Sequence, residues 1–241
     1  MSEVVLKGEM HTSSGDLEEE RKLLKQGFDA VVFEGAETDP EYRFYEGWFD
    51  LLILLFNATI GHLYQDKTIL RDLAEVQDMS IRFTRESDAE VLRNTPVLIH
   101  LLGAVLFYAL ILVSIIGGTV TENLVTGSLW LLSAVAAPLL LIRVYNTKLG
   151  KGPKNRDGII ANEIREAAEE NERVLAIVGA AHASGIKARL PDEIKVEYKS
   201  PEYGMFSLRH GRDVLRPAFT GFAELFLIYL IIFYTIHSVL V

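Results

Sequence analysis

Residues 97–118 run for 22 positions without an Asp, Glu, Lys or Arg. About 20 apolar residues in a helix cross the hydrocarbon of a bilayer, so this stretch predicts a transmembrane helix. After a turn at 119–123, residues 124–142 form a second uncharged run, and the two read as a membrane hairpin. Residues 218–241 hold Glu224 as their only charge and read as a third span. The chain is 49% hydrophobic yet 24% charged. The two kinds of residue are therefore segregated, and what lies outside the spans must fold in water.

Those outer segments carry an α/β pattern. The apolar run Val174–Val178 ends on Gly179 and reads as a strand buried on both faces. His182 follows it, where open α/β sheets place their chemistry. The start of the chain repeats this design: Val4-Val5-Leu6-Lys7, then Gly8-Glu9-Met10-His11. Ser14 or Asp16 is expected to cap a helix over 16–26, with Gly27 at its end. Ala30–Phe33 reads as a second buried strand ending at Glu34, parallel to the first and beside it. Residues 66–94 look polar and helical, with Ile69, Leu73 and Val76 at helix spacing. A helix is expected over 157–171, with Asp157 as its cap. A short helix near 184–190 and a half-buried strand over 194–198 follow.

The expected fold class is therefore α/β: a mixed, mostly parallel sheet with flanking helices, plus three transmembrane helices. The first half of the α/β domain spans 1–96, the hairpin 97–145, the second half 146–217 and the last span 218–241. If the two Gly-x-x-His strands share one domain, the number of spans between them must be even. Residues 47–64 are long enough to resemble a span but carry Asp50, Asn57 and His62. They are therefore read as a buried or interfacial helix of the first half. Arg82, Arg85, Arg93, Arg143, Lys148, Lys151, Lys154, Arg209, Arg212 and Arg216 flank the spans on one side. This places the soluble domain in the cytoplasm of a cell-membrane protein, with the carboxyl terminus outside. The amino terminus lacks the basic and apolar regions of a cleaved signal peptide.

Composition narrows the chemistry. There is no Cys, which removes disulfides, thiolate ligands and Cys nucleophiles. The acidic balance over residues 1–96 argues against nucleic acid as a partner. Basic residues gather beside the apolar runs, as expected next to an anionic bilayer surface. Two histidines in matching contexts, His11 and His182, are the leading site candidates, as neutral imidazole ligates divalent metals. Glu34, at the end of the second strand, and Glu9, within the first motif, offer a carboxylate ligand and a general base. Arg156 could polarise a carbonyl. His62 is a further imidazole; His100 and His237 lie in spans and read as packing or hydrogen-bonding residues. Small residues at Gly117-Gly118 and Ala134–Ala137 allow helices to pack together or across a homo-oligomer.

The ordered set Gly8-Glu9-Met10-His11, Val31-Val32-Phe33-Glu34, Asn155-Arg156-Asp157 and Ala176 to Ile186 resembles the TraB/PrgY/Tiki family. That family belongs to a clan with erythromycin-esterase-like and ChaN haem-binding-like proteins. Gly-Glu-x-His at the first motif departs from the commoner Gly-Thr-x-His and is closer to the latter two branches. The resemblance implies an α/β domain with both motifs at one site. It also implies a divalent-metal-dependent peptidase or hydrolase using manganese, cobalt or zinc, with peptide pheromones among its substrates. It would assign His11, His182 and Glu34 to the metal, with Arg156 nearby. The alternative is a non-catalytic membrane protein that sequesters a peptide signal or haem.

Overall fold

The computed structural model describes residues 2–35, 43–64, 67–84, 92, 95–121, 123–146 and 156–240. They divide into two compact units.

The first unit is built on a five-stranded sheet. Its strands are β1 (Glu3–Glu9), β2 (Ala30–Phe33), β3 (Ser80–Phe83), β4 (Arg173–Gly179) and β5 (Lys195–Lys199), in the order β3-β2-β4-β1-β5. Every pairing among the described strands is parallel, in keeping with the mostly parallel sheet expected. The central strand is β4, the apolar run of the second Gly-x-x-His motif. It lies between β1 and β2, so these two are parallel but not neighbours as expected. The register pairs Glu9 with Gly179, so β1 and β4 end level, and Phe33 with Ile177, so β2 ends two residues short of them and Glu34 follows at the same edge of the sheet.

Helices cover both faces because the strand residues alternate. Val4, Leu6, Val32, Val174, Ala176 and Val178 pack on Ile160 and Ile164 of α6 (Arg156–Glu170) and on Ala183 and Ile186 of α7 (Ala180–Lys187). Val5, Val31, Phe33, Leu175 and Ile177 pack on Leu23 and Leu24 of α1 (Ser14–Leu24) and on Leu70 and Ala74 of α3 (Thr68–Val76). Each such side chain taken fully from water contributes about 1.5–3 kcal/mol. Ser13, rather than Ser14 or Asp16, caps α1 by accepting from Asp16 N at 3.2 Å. Gly27 adopts φ +76°, a left-handed turn that suits Gly after the helix. Within 66–94 the inward positions of α3 are Leu70 and Ala74, while Ile69 and Val76 face out. The strand β3 there was not expected. Residues 85–91, 93 and 94 of that stretch lie outside the described residues.

The second unit contains α2 (Gly47–Thr59), α4 (Val97–Thr121), α5 (Leu124–Val144) and most of α8 (Leu208–Leu240). Three helices are long and apolar enough to cross a membrane, the apolar stretches being Val97–Gly118, Leu124–Val144 and Leu208–Ile236. They agree with the three expected spans, although α8 is continuous back to Leu208 through Pro217. Residues 47–64 form a 13-residue helix and a 3-10 turn over Gly61–Leu63, too short to span. That helix belongs to this second unit, not to the α/β domain: Trp48, Phe49 and Leu52 are buried with Phe107, Ala134 and Val135. Tyr229 of α8 is buried where Gly118 and Gly127 leave room for its ring, and it donates to Ser114 O at 3.0 Å.

Candidate functional site

The carboxyl ends of β1, β4 and β2 meet around Gly179. A Cβ on Gly179 would lie 3.1 Å from Glu34 Oε2, 3.4 Å from His11 Nε2 and 3.7 Å from His182 Cδ2. Three residues up to 171 positions apart in sequence thus surround one point, and the missing Gly side chain makes the space for them.

Both imidazoles are held the same way. His11 Nδ1 lies 2.8 Å from Glu9 Oε1, and His182 Nδ1 lies 2.7 Å from Asp157 Oδ1. An ionised carboxylate only accepts hydrogen bonds, so Nδ1 donates in each ring, and in the neutral imidazole this leaves the lone pair on Nε2. A carboxylate behind a histidine is the arrangement that fixes metal-ligating imidazoles. Asp157 therefore does not cap α6. It sits in the first turn of that helix and aims at His182, with Arg189 Nη1 3.7 Å from its other oxygen. Gly185 is part of this support, because a Cβ there would collide with the Asp157 carboxylate.

The Glu34 side chain is buried, and each of its oxygens accepts one hydrogen bond, which leaves each a second lone pair. Arg156 Nη2 donates to Oε1, and Gly179 N donates to Oε2 at 2.5 Å. The Arg156 side chain is 42% exposed. Glu9 is not free to act as a base. Lys67 Nζ and His11 both bind its Oε1. Burial raises its pKa, but the hydrogen bond from His11 and the Lys67 charge outweigh burial and bring it down to about 2. Its place is behind His11, as an orienting group.

Beneath Glu9 lies a buried polar layer. Glu20 of α1 is fully buried, and neither of its carboxyl oxygens has a hydrogen-bond partner of good geometry. Burial, then the Glu9 charge, push Glu20 up to about 9. The two carboxyls are close enough to couple and hold one proton between them at neutral pH. Lys7, buried on β1, donates to Asp16 Oδ1 at 2.8 Å and to Ser200 O at 2.9 Å, and pairs with Glu19 at 2.6 Å. Burial lowers the Lys7 pKa, but its bonds to Asp16 and Glu19 reverse this and raise it. Asp16 also accepts from Met10 N at 2.9 Å, fastening the chain beside His11.

His11, Glu34, Arg156 and His182 are therefore brought together, and Glu9 supports them. His62 is not part of the site. It pairs with Glu224 Oε2 at 2.6 Å in the second unit. His100 bonds Leu92 O at 2.6 Å, in keeping with a hydrogen-bonding role, and the His237 side chain lies outside the described residues. Sequence reasoning missed Asp157 as a site residue, and also Lys67, Glu20 and Gly185. Two had signals. Glu20 is an acid on the apolar stripe Leu17–Leu24 of α1, and Asp157 adjoins the singled-out Arg156.

The donor chemistry fits a divalent ion at two imidazoles whose Nε2 atoms are free, beside one carboxylate. Among the described residues, however, no three His, Asp or Glu side chains stand as a closed ligand set. Glu34 would ligate through the second lone pair of an oxygen that already accepts a hydrogen bond. Comparison with protein-family models, curated proteins and solved structures gives no match, so the functional reading rests on this geometry.

Proposed function

We propose that the chain is a membrane-anchored hydrolase of the metal-dependent peptidase kind, in keeping with its resemblance to the TraB/PrgY/Tiki family. The observation that supports this is the meeting of His11, His182 and Glu34 around Gly179, with each imidazole clamped through Nδ1 by a carboxylate. His11 and His182 would hold the ion, manganese, cobalt or zinc, with Glu34 alongside. Such an ion supplies Lewis-acid charge and lowers the pKa of a water. The residues do the rest. Glu34 Oε2 takes a proton from water, Arg156 holds Oε1 and offers its other N–H groups to the developing oxyanion. Glu9 and Asp157 keep both rings in the tautomer that leaves Nε2 unprotonated. Peptides are the proposed substrates, and the site faces the cytoplasm by the distribution of Lys and Arg.

The test uses the full-length protein in nanodiscs, with metal content measured by elemental mass spectrometry and cleavage by a peptide library. Wild type should retain stoichiometric divalent metal, and His11→Ala with His182→Ala should lose it. Unchanged metal content in the double variant refutes the proposal. Metal bound without cleavage of any peptide would point to a capture protein for peptide or haem.

A further inference from the structure

Between β5 and α8 the chain exposes Met205 (66%), Phe206 (97%) and Leu208 (94%). Three such side chains left together in water mark a surface made to be covered. Arg209 and Arg212 are exposed within the next turn of α8. Leu208, Arg209 and Arg212 form the first turns of that helix, whose later residues from Ala218 on carry Glu224 as their only charge, so the patch sits at the polar end of a helix long and apolar enough to cross a membrane. Aromatic and apolar side chains with adjacent Arg in that position are interface anchors. Of the acids nearby, Glu202 is exposed, while Asp213 is taken by Ser14 N at 2.9 Å and Ser14 Oγ at 2.8 Å.

The same segment is tied to the loop after His11. Asp16 accepts from Glu202 N at 2.7 Å, Lys7 donates to Ser200 O at 2.9 Å, and the Tyr203 ring would meet a Cβ on Gly15 at 2.6 Å. Arg209 lies 5.6 Å above that ring. We propose that Met205, Phe206 and Leu208, with Arg209 and Arg212, insert into the headgroup layer of an anionic bilayer and hold the His11 loop beside the lipid surface. The apolar side chains supply depth, and the guanidinium groups bind lipid phosphates of the anionic surface. This placement is independent of whether the site cleaves anything.

The chain has no Cys, so single labels are straightforward. Phe206→Cys and Met205→Cys, and Gln26→Cys as an exposed control at the far end of α1, carry a nitroxide in full-length protein. Collision with oxygen and with a water-soluble nickel chelate is measured by electron paramagnetic resonance. The nanodiscs contain phosphatidylcholine alone or with phosphatidylserine. Labels at 205 and 206 should be several-fold less accessible to nickel than the label at 26, and more accessible to oxygen. Arg209→Gln with Arg212→Gln should move them toward water in the phosphatidylserine discs. Nickel accessibility equal to that at 26 overturns the proposal. Shielding from both reagents, kept when the bilayer is replaced by detergent, also overturns it and points to a second copy of the chain.

Discussion

At the scale of single residues, the carboxylates behind the imidazoles are the sharpest targets. Asp157→Asn replaces an obligate acceptor with a group that can also donate, so His182 loses the fixed tautomer. Metal affinity should fall about 10–100-fold with the circular dichroism spectrum unchanged; equal affinity would remove Asp157 from the site. Asp16→Ala takes one of two carboxylate partners from the buried Lys7, which keeps Glu19, and leaves Met10 N and Glu202 N without their acceptor; chemical unfolding should show a loss of about 1–3 kcal/mol. Glu20 gives a pH signature. Its pKa is raised from 4.5 to about 9 on folding, so the folded chain holds a proton that the unfolded chain releases. The stability this contributes is full below 4.5 and is lost as pH rises toward 9. Glu20→Gln, which never ionises, should therefore gain on wild type in thermal unfolding as pH rises from 5 to 9. A constant difference across that range would show that Glu20 is already ionised.

At the scale of elements, β4 and α7, with one glycine in each, organise the site. Gly179 ends the strand where His11 Nε2 and Glu34 Oε2 converge, and Gly185 lets α7 pass the Asp157 carboxylate. Gly179→Ala puts a methyl 3.1 Å from Glu34 Oε2, tighter than ordinary van der Waals contact, at the one place where the ring nitrogens must stay open. The fold should survive, since the strand has no left-handed glycine there, but metal binding and any cleavage should drop at least about tenfold. Elemental analysis beside circular dichroism separates the two effects. The elements themselves follow from local patterns: alternation in β1 and β4 feeds two separate cores, and Ser13 and Asn123 cap α1 and α5 through their side chains. The strand β3 was illegible because its four residues, Ser-Ile-Arg-Phe, are half-exposed at the sheet edge.

For the whole molecule, a split site fixes the parity of the membrane crossings. His11 and His182 surround one point, and among the described residues two helices long and apolar enough to cross a membrane lie between them in sequence, consistent with the even number a shared site requires. With the proposed cytoplasmic site, Gln26→Cys and Asp192→Cys should both react with an impermeant maleimide only after the cells are opened. Labelling of either in intact cells would reverse the orientation. The sequence by itself determined the long apolar helices, the α/β class and the position of His11, Glu34 and His182 just past strand ends, because each depends on local periodicity or on residues at strand ends. Only the tertiary structure decided that β4 lies between β1 and β2, that residues 47–63 belong with the apolar helices, and that Glu9 and Asp157 stand behind the histidines. Strand order, helix partners and side-chain pairing are choices among non-local contacts. Many arrangements satisfy the same local pattern, and the packing of the complete chain selects one.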